Sequence, residues 1–188
     1  MNTGRVTVWV AMRSATRGRR SPWVIGALFV ALFILFQGAW IAARGSAFEH
    51  WLIEDINVRS SVALIRMWTP GLGAHAQGAS IVAPDARLNV RNGCEGTEIL
   101  IPLLAALLAY PFTWRIRMFG LVVGTAWVFV LNQARVLGLF YAFRDEPALF
   151  GQLHGLVTPL LLILGVLAFF LGLIRWERLL PASSRSVS

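Results

Sequence analysis

The sequence contains few charged residues. Only 14% of its 188 residues are charged, whereas soluble globular domains carry about 25%. Hydrophobic residues make up 57% of the chain, and the mean hydropathy is +0.66. A soluble domain would need a larger polar surface than this composition supplies. We therefore predict an integral membrane protein of the all-α class, because helices satisfy their own backbone hydrogen bonds within lipid.

Lysine is absent, and every basic side chain is an arginine. The 17 arginines outnumber the nine acids and give a net charge of +8. In a soluble chain this excess would suggest a nucleic-acid partner. Here the arginines lie beside apolar runs, where basic residues set membrane orientation and contact lipid headgroups. We expect membrane lipids as partners and no nucleic acid.

Cysteine is nearly absent, since Cys94 is the only one. A single thiol cannot form an internal disulfide, and no Cys/His spacing is typical of a metal site. We expect no metal and no cofactor. A lone cysteine in an apolar chain is most often a small buried hydrophobe. However, Cys94 lies where a polar segment meets an apolar run, and the N-terminal end of a helix there would favour a thiolate.

Four long apolar runs predict about four transmembrane helices. Five arginines within residues 1–22 predict a cytoplasmic N-terminus, and basic residues also follow the second and fourth runs. The first run could instead be a signal peptide, because small residues follow at 45–47, although its apolar core is longer than usual. By the length needed to cross a bilayer, the predicted spans are 23–43, 94–114, 118–143 and 154–174, with a cytoplasmic tail at 175–188.

The most polar segment, 44–93, is predicted to be a small extracytoplasmic segment between the first two spans. Apolar residues between 48 and 68 recur at loosely helical spacing, which predicts an amphipathic helix on the outer membrane surface. Pro70 should end it. We interpret His50 and His75 as ordinary surface histidines.

Short apolar runs at 81–82 and 88–90 flank a Pro-Asp pair. This pattern predicts a hairpin that leads into Cys94.

Polar residues interrupt the second and third apolar runs. Glu98 lies one helical turn after Cys94, where an acid commonly complements the helix dipole. Arg135 and Asn132 lie inside the third run, and polar residues there usually face a bundle interior, a partner or a site. Alternatively, Arg135 reaches the outer headgroups or pairs structurally with Glu98 or Glu95.

Alternating helix directions place three of these residues at one depth. Cys94 begins the second span, Arg135 lies near the outer end of the third, and His154 opens the fourth. A thiol, an imidazole and a cation are a set suited to acyl transfer. We interpret Cys94 as the nucleophile, His154 as general base and acid, and Arg135 as the oxyanion stabiliser. Asn132 would support them by orienting Arg135 or donating a further hydrogen bond, and the role of Glu98 stays open between catalytic and structural.

On three motifs the chain resembles the exosortase/archaeosortase family of multi-pass membrane transpeptidases. They are Asn-Gly-Cys-Glu-Gly at 92–96, Asn-Gln-Ala-Arg-Val-Leu at 132–137 and His-Gly-Leu-Val at 154–157. The short chain is most similar to the compact exosortase H type. It departs from many members around the cysteine, where they have a small residue followed by a serine.

The resemblance implies one domain over about 23–176, with Cys94 as nucleophile and Arg135 and His154 completing the site. It also implies a location in the bacterial inner membrane, with the active site near the periplasmic face. The implied substrates are exported proteins whose C-terminal tail has a short motif, a hydrophobic span and a basic cluster. Cleavage would proceed through a cysteine thioester.

Two alternatives stay open at this stage. In the first, the chain is a non-enzymatic membrane protein, such as a transporter subunit or assembly factor. Arg135, Glu98 and His154 would then form an intramembrane polar network, and Cys94 would be incidental. In the second, water resolves the thioester and the enzyme is a plain hydrolase. The sequence does not separate hydrolysis from transpeptidation, because both use the same residues.

Overall fold

The structure is a computed structural model that describes residues 21–90 and 93–179. Most of the predicted segment 1–22, the end of the predicted tail 175–188 and Asn92 lie outside the described residues. The described chain forms five helices and one small sheet. The helices are α1 (Pro22–Ala43), α2 (Ala47–His50, continuing through the π-helical Trp51–Val58 into Arg59–Trp68), α3 (Thr97–Ala109), α4 (Trp114–Asp145) and α5 (Pro147–Gln152, continuing through the π-helical Leu153–Val157 into Thr158–Leu179).

Three of the described helices are long and apolar enough to cross a membrane. They are α1 with 22 residues, α4 with 32 and α5 with 33, and a bilayer core needs about 20. The predicted all-α membrane class is confirmed. The remaining predicted span corresponds to α3, an apolar helix of 13 residues that packs among α1, α4 and α5.

Helix α3 is shorter at both ends than the predicted span 94–114. It begins after Gly96, whose backbone is left-handed with φ of +80°. It ends at Tyr110, which is extended with ψ of 140°, because the residue before a proline disfavours the helical region. Cys94 therefore lies in the loop before α3 and outside its first turn, which corrects the placement expected from the sequence.

Helix α4 starts earlier than the predicted 118–143 and includes Arg115 and Arg117. Arg117 is accommodated because its guanidinium donates to the carbonyl oxygens of Tyr110 and Phe112, at 3.4 and 3.2 Å. These bonds tie the start of α4 to the turn that joins it to α3.

Two glycines let α4 approach its neighbours closely. A Cβ on Gly120 would lie 2.9 Å from Leu107 of α3, and one on Gly124 would lie 2.9 Å from the ring of Phe169 in α5. This small-xxx-small spacing is typical of helix packing in membranes, where close backbone approach replaces the hydrophobic driving force.

The polar segment packs against the C-terminal part of α4. Its antiparallel sheet has the order β1 (His75–Gln77), β2 (Ser80–Ala83) and β3 (Ala86–Asn89). Ile81 pairs with Leu88, which confirms the predicted hairpin, whereas β1 was not predicted from the sequence. Although the described chain is mostly helical, this sheet is a local exception to the all-α class.

Helix α2 forms where the sequence predicted an amphipathic helix, and Pro70 begins the short 3-10 turn that follows it. Its location on the outer membrane surface stays a prediction. Part of its apolar surface is buried against protein, whereas Trp51, Met67 and Trp68 are exposed. Ile53 and Ile65 are fully buried and pack with the sheet and with the C-terminal part of α4. Cys94 belongs to the same core. His50 and His75 are exposed, as predicted.

Candidate active site

The loop before α3 holds Cys94 against helix α4. Gly93 and Gly96 both have positive φ, +99° and +80°, which glycine adopts without steric cost. Between them, the carboxylate of Glu95 accepts a 2.7 Å hydrogen bond from the backbone N–H of Gly93. A Cβ on Gly96 would lie 2.9 Å from Cγ of Asn132. The loop therefore reaches α4 only because residue 96 has no side chain.

Cys94 and His154 are brought together although 60 residues separate them. The Sγ atom lies 3.7 Å from Nδ1 of His154, and Cys94 is 2% exposed. The imidazole stacks on the ring of Phe150, with centroids 5.4 Å apart and planes 10° apart. This stacking orients the imidazole toward the thiol. The predicted meeting of these two residues is thus present in the structure.

The pKa of the Cys94 thiol is raised above that of a free cysteine. Burial raises the pKa of Cys94, the nearby Arg135 guanidinium lowers it, and the carboxylates of Glu95 and Glu98 raise it again. The net direction of the Cys94 pKa is upward, because burial disfavours the charged thiolate. The sequence suggested the opposite, on the assumption that Cys94 would lie in the first turn of a helix. Deprotonation therefore requires a base, and His154 is in contact.

Arg135 forms an ion pair with Glu98. Its Nη1 lies 2.8 Å from Oε1 of Glu98, and the two side chains are 4% and 47% exposed. The Nε of Arg135 is buried and has no hydrogen-bond partner among the described residues. Of the two acids considered from the sequence, Glu98 is the one paired with Arg135 here.

Asn132 contacts the loop that carries the thiol. Its Nδ2 donates to the carbonyl oxygen of Cys94 and to Oδ1 of Asn57, both at 3.0 Å. The sequence suggested that Asn132 orients Arg135 or donates a further hydrogen bond. In the structure, it donates to the backbone of Cys94.

Sequence reasoning missed Asn57 and Ser61 of α2. Asn57 Nδ2 donates to the carbonyl oxygens of Leu52 and Glu95, at 3.0 and 3.4 Å. Ser61 Oγ donates to Oε1 of Gln133 at 2.6 Å. Asn57 and Ser61 are both buried, four residues apart on the apolar face of an amphipathic helix. Polar residues on such a face were the available signal.

Both π-helical segments carry a residue of this site. Asn57 lies in Trp51–Val58 and His154 in Leu153–Val157, and π-helical turns are frequent at functional sites. The described residues contain no group of three or more His, Cys, Asp or Glu side chains that could hold a metal ion. The site therefore combines the buried thiol of Cys94, the imidazole of His154 in contact with it, and the nearby guanidinium of Arg135.

Comparison with known proteins gives one family. The model of a transmembrane exosortase family matches residues 6–172, which is most of the chain. No curated protein matches, and no solved structure matches.

Proposed function

Because this chain belongs to the transmembrane exosortase family, we propose that it is a membrane-embedded cysteine peptidase or transpeptidase. It would cleave exported proteins ahead of a C-terminal hydrophobic span. The observation that supports this most directly is the 3.7 Å approach of Cys94 Sγ to His154 Nδ1. The fold pairs the single thiol of the chain with an imidazole, as nucleophilic catalysis requires.

In the proposed reaction, His154 takes the thiol proton as Cys94 Sγ attacks the carbonyl carbon of the scissile peptide. The tetrahedral intermediate collapses to a thioester, and His154 returns the proton to the departing amine. Water or an accepting amine then attacks the thioester and frees Cys94. The raised pKa of the buried thiol is consistent with this order, because the proton must leave during the attack.

Arg135 is proposed to stabilise the oxyanion. Its guanidinium is always charged, and its burial strengthens its field at the reacting atoms. One of its N–H groups, at Nε, has no partner among the described residues. An oxyanion could accept from this donor while the ion pair with Glu98 holds the other end of the guanidinium.

The site is proposed to lie near the periplasmic face of a bacterial inner membrane. It is built where α4 and α5 meet the sheet and α2, at the ends that the arginine distribution assigns to the outside. The implied substrates are exported proteins with a C-terminal tail of a short motif, a hydrophobic span and a basic cluster.

A non-enzymatic role is the second candidate, and the ion pair of Arg135 and Glu98 favours it because a structural polar network would contain the same bond. Cys94→Ser separates the two candidates. Serine preserves size and polarity, so a structural network should tolerate it, whereas a thiol nucleophile should not.

The decisive experiment compares membrane proteomes of wild-type and Cys94→Ala cells. We expect exported proteins with an intact hydrophobic, Arg-rich C-terminal tail to accumulate only in the mutant. Unchanged tails, with the mutant inserted at wild-type levels, would reject the peptidase.

A further inference from the structure

A cavity of about 500 Å³ opens between α2, α3 and α4 beside the Cys94 loop. Its lining changes character from one end to the other. The polar part includes Asn57, Glu95 and Asn132, and the apolar part includes Leu100, Val122 and Phe129. We call this cavity the α3–α4 groove.

The apolar part of the groove follows a membrane-spanning helix. Val122 and Asn132 both lie on α4, and their separation of ten residues corresponds to about 15 Å at the rise of an α-helix. This distance is about half of the hydrocarbon thickness of a bilayer. The groove therefore extends from the depth of Cys94 into the membrane.

The polar end of the groove carries two acceptors that bear on its occupant. Glu95 carries a carboxylate, which accepts from the backbone N–H of Gly93. The Oδ1 of Asn132 is buried and has no hydrogen-bond partner among the described residues, and Asn132 as a whole is 1% exposed. A buried acceptor without a donor is costly. The groove fits an occupant that brings N–H donors and positive charge to this end.

The first turn of a helix has these properties. Its N–H groups lack intrahelical partners, and the helix dipole places partial positive charge there. The last turn would instead present carbonyl oxygens to Glu95 and Asn132, which is unfavourable. A lipid acyl chain matches the apolar lining but brings no donor.

We propose that the α3–α4 groove receives the transmembrane helix of the substrate, with its N-terminal end at Glu95 and Asn132 and its body along Leu100, Val122 and Phe129. This inference rests on the proposed function. Asn132 also donates to the carbonyl oxygen of Cys94, so the segment just ahead of the bound helix lies beside the thiol. The groove thereby sets which peptide bond is presented for attack.

The test uses photocrosslinking in the inactive Cys94→Ala protein in proteoliposomes. A photoreactive amino acid replaces Val122, which lines the groove and is 68% exposed. The matched control replaces Val130, which is 56% exposed on the same helix. The probe is a biotinylated peptide with a polar N-terminal stretch, a Leu/Ala span of about 20 residues and an Arg-rich C-terminal end. We expect several-fold more biotin at Val122 than at Val130.

Two further comparisons sharpen the result. A peptide whose N-terminal stretch is Asp-rich places negative charge beside the Glu95 carboxylate, so we expect it to label Val122 several-fold less. Ala126→Trp, at a groove position, should reduce labelling at Val122 several-fold, whereas Val130→Trp should not. Equal labelling at Val122 and Val130, or equal labelling by the two peptides, would overturn the proposal, as would labelling of Val122 by a photoreactive phospholipid that the peptide fails to displace.

This outcome is independent of catalysis. The Cys94→Ala protein cannot form a thioester, so crosslinking reports the groove alone, while the proteomic comparison reports the peptidase. Accumulated precursors together with equal crosslinking at Val122 and Val130 would reject the groove and retain the enzyme.

Discussion

The side chain of Asn132 donates a 3.0 Å hydrogen bond to the backbone carbonyl of Cys94. This bond joins a membrane-spanning helix to the loop that carries the thiol. Asn57 supports the same loop from α2 by donating to the carbonyl oxygen of Glu95, and it accepts from Asn132. The two amides bind carbonyl oxygens of neighbouring residues, and together they hold the thiol-bearing loop in one position.

Asn57→Ala should destabilise the protein and impair processing. The change removes the donor to Glu95 and leaves Asn132 with one acceptor fewer, and each buried unsatisfied group costs about 1–3 kcal/mol. We expect a lower melting temperature in detergent and accumulation of uncleaved precursor. Gln152→Ala, which removes an exposed amide from α5, is the control. Equal melting temperatures for the two variants would show that Asn57 does not support the loop.

Gly96→Ala should displace the Cys94 loop. The added Cβ would lie 2.9 Å from Cγ of Asn132, and the backbone has φ of +80°. Gly45→Ala is a matched control, because Gly45 has φ of +78° with nothing within 4 Å of an added Cβ. Both variants lose about 1–2 kcal/mol to backbone strain, which thermal unfolding measures. Precursor cleavage should fail only for Gly96→Ala, and equal cleavage by the two variants would contradict the close contact with Asn132.

The sequence predicted the meeting of Cys94 and His154 from helix directions alone. It missed Asn57, whose polar side chain on the apolar face was the available signal, because a π-helical segment shifts the residues within it away from α-helical spacing. It also placed Cys94 at the start of a helix, because the second apolar run is too short to cross a bilayer unless it is extended back to residue 94. The left-handed turn at Gly96 separates the thiol from that helix. Such turns depend on the contact with Asn132, which is distant in the chain.

The pH dependence of the alkylation rate of Cys94 should reflect the raised pKa of its thiol. With one cysteine in the chain, the rate of reaction with a small reagent reports the thiolate directly. We expect the rate to rise with pH through a midpoint above the value of about 8.5 for free cysteine. Arg135→Ala removes the charge that lowers this pKa, so its midpoint should be higher still. A wild-type midpoint at or below that of free cysteine would show that burial does not control the thiol.

The same shift makes stability depend on pH. The folded state holds the thiol proton more tightly than the unfolded state does, so this contribution to stability is complete below about 8.5, the unfolded pKa. It is lost as the pH rises through the raised folded pKa. The melting temperature of wild type should therefore fall more at alkaline pH than that of Cys94→Ala. Parallel pH profiles of the two proteins would contradict this linkage.

Glu98→Gln should lower the pKa of the Cys94 thiol, whereas Arg135→Ala should raise it. The Glu98 carboxylate raises the pKa of Cys94, so its removal should lower the alkylation midpoint. The stability loss should be modest, because Glu98 is 47% exposed and solvent screens an exposed partner. A fall in precursor cleavage despite a lower thiol pKa would assign Glu98 to positioning Arg135. Unchanged cleavage would leave it as an electrostatic neighbour.

Phe150→Leu should test how the imidazole is held. The stack of Phe150 on His154, with planes 10° apart, fixes the ring that faces the thiol, and leucine keeps the apolar volume without the flat surface. We expect precursor cleavage to fall about tenfold, whereas His154→Ala should lose about 10²–10⁴-fold, the usual contribution of general acid–base catalysis. Phe143→Leu is the control, because Phe143 packs edge-on against Phe150. Equal losses for Phe143→Leu and Phe150→Leu would indicate a general packing defect, and a larger loss for Phe150→Leu would show that the stack positions the base.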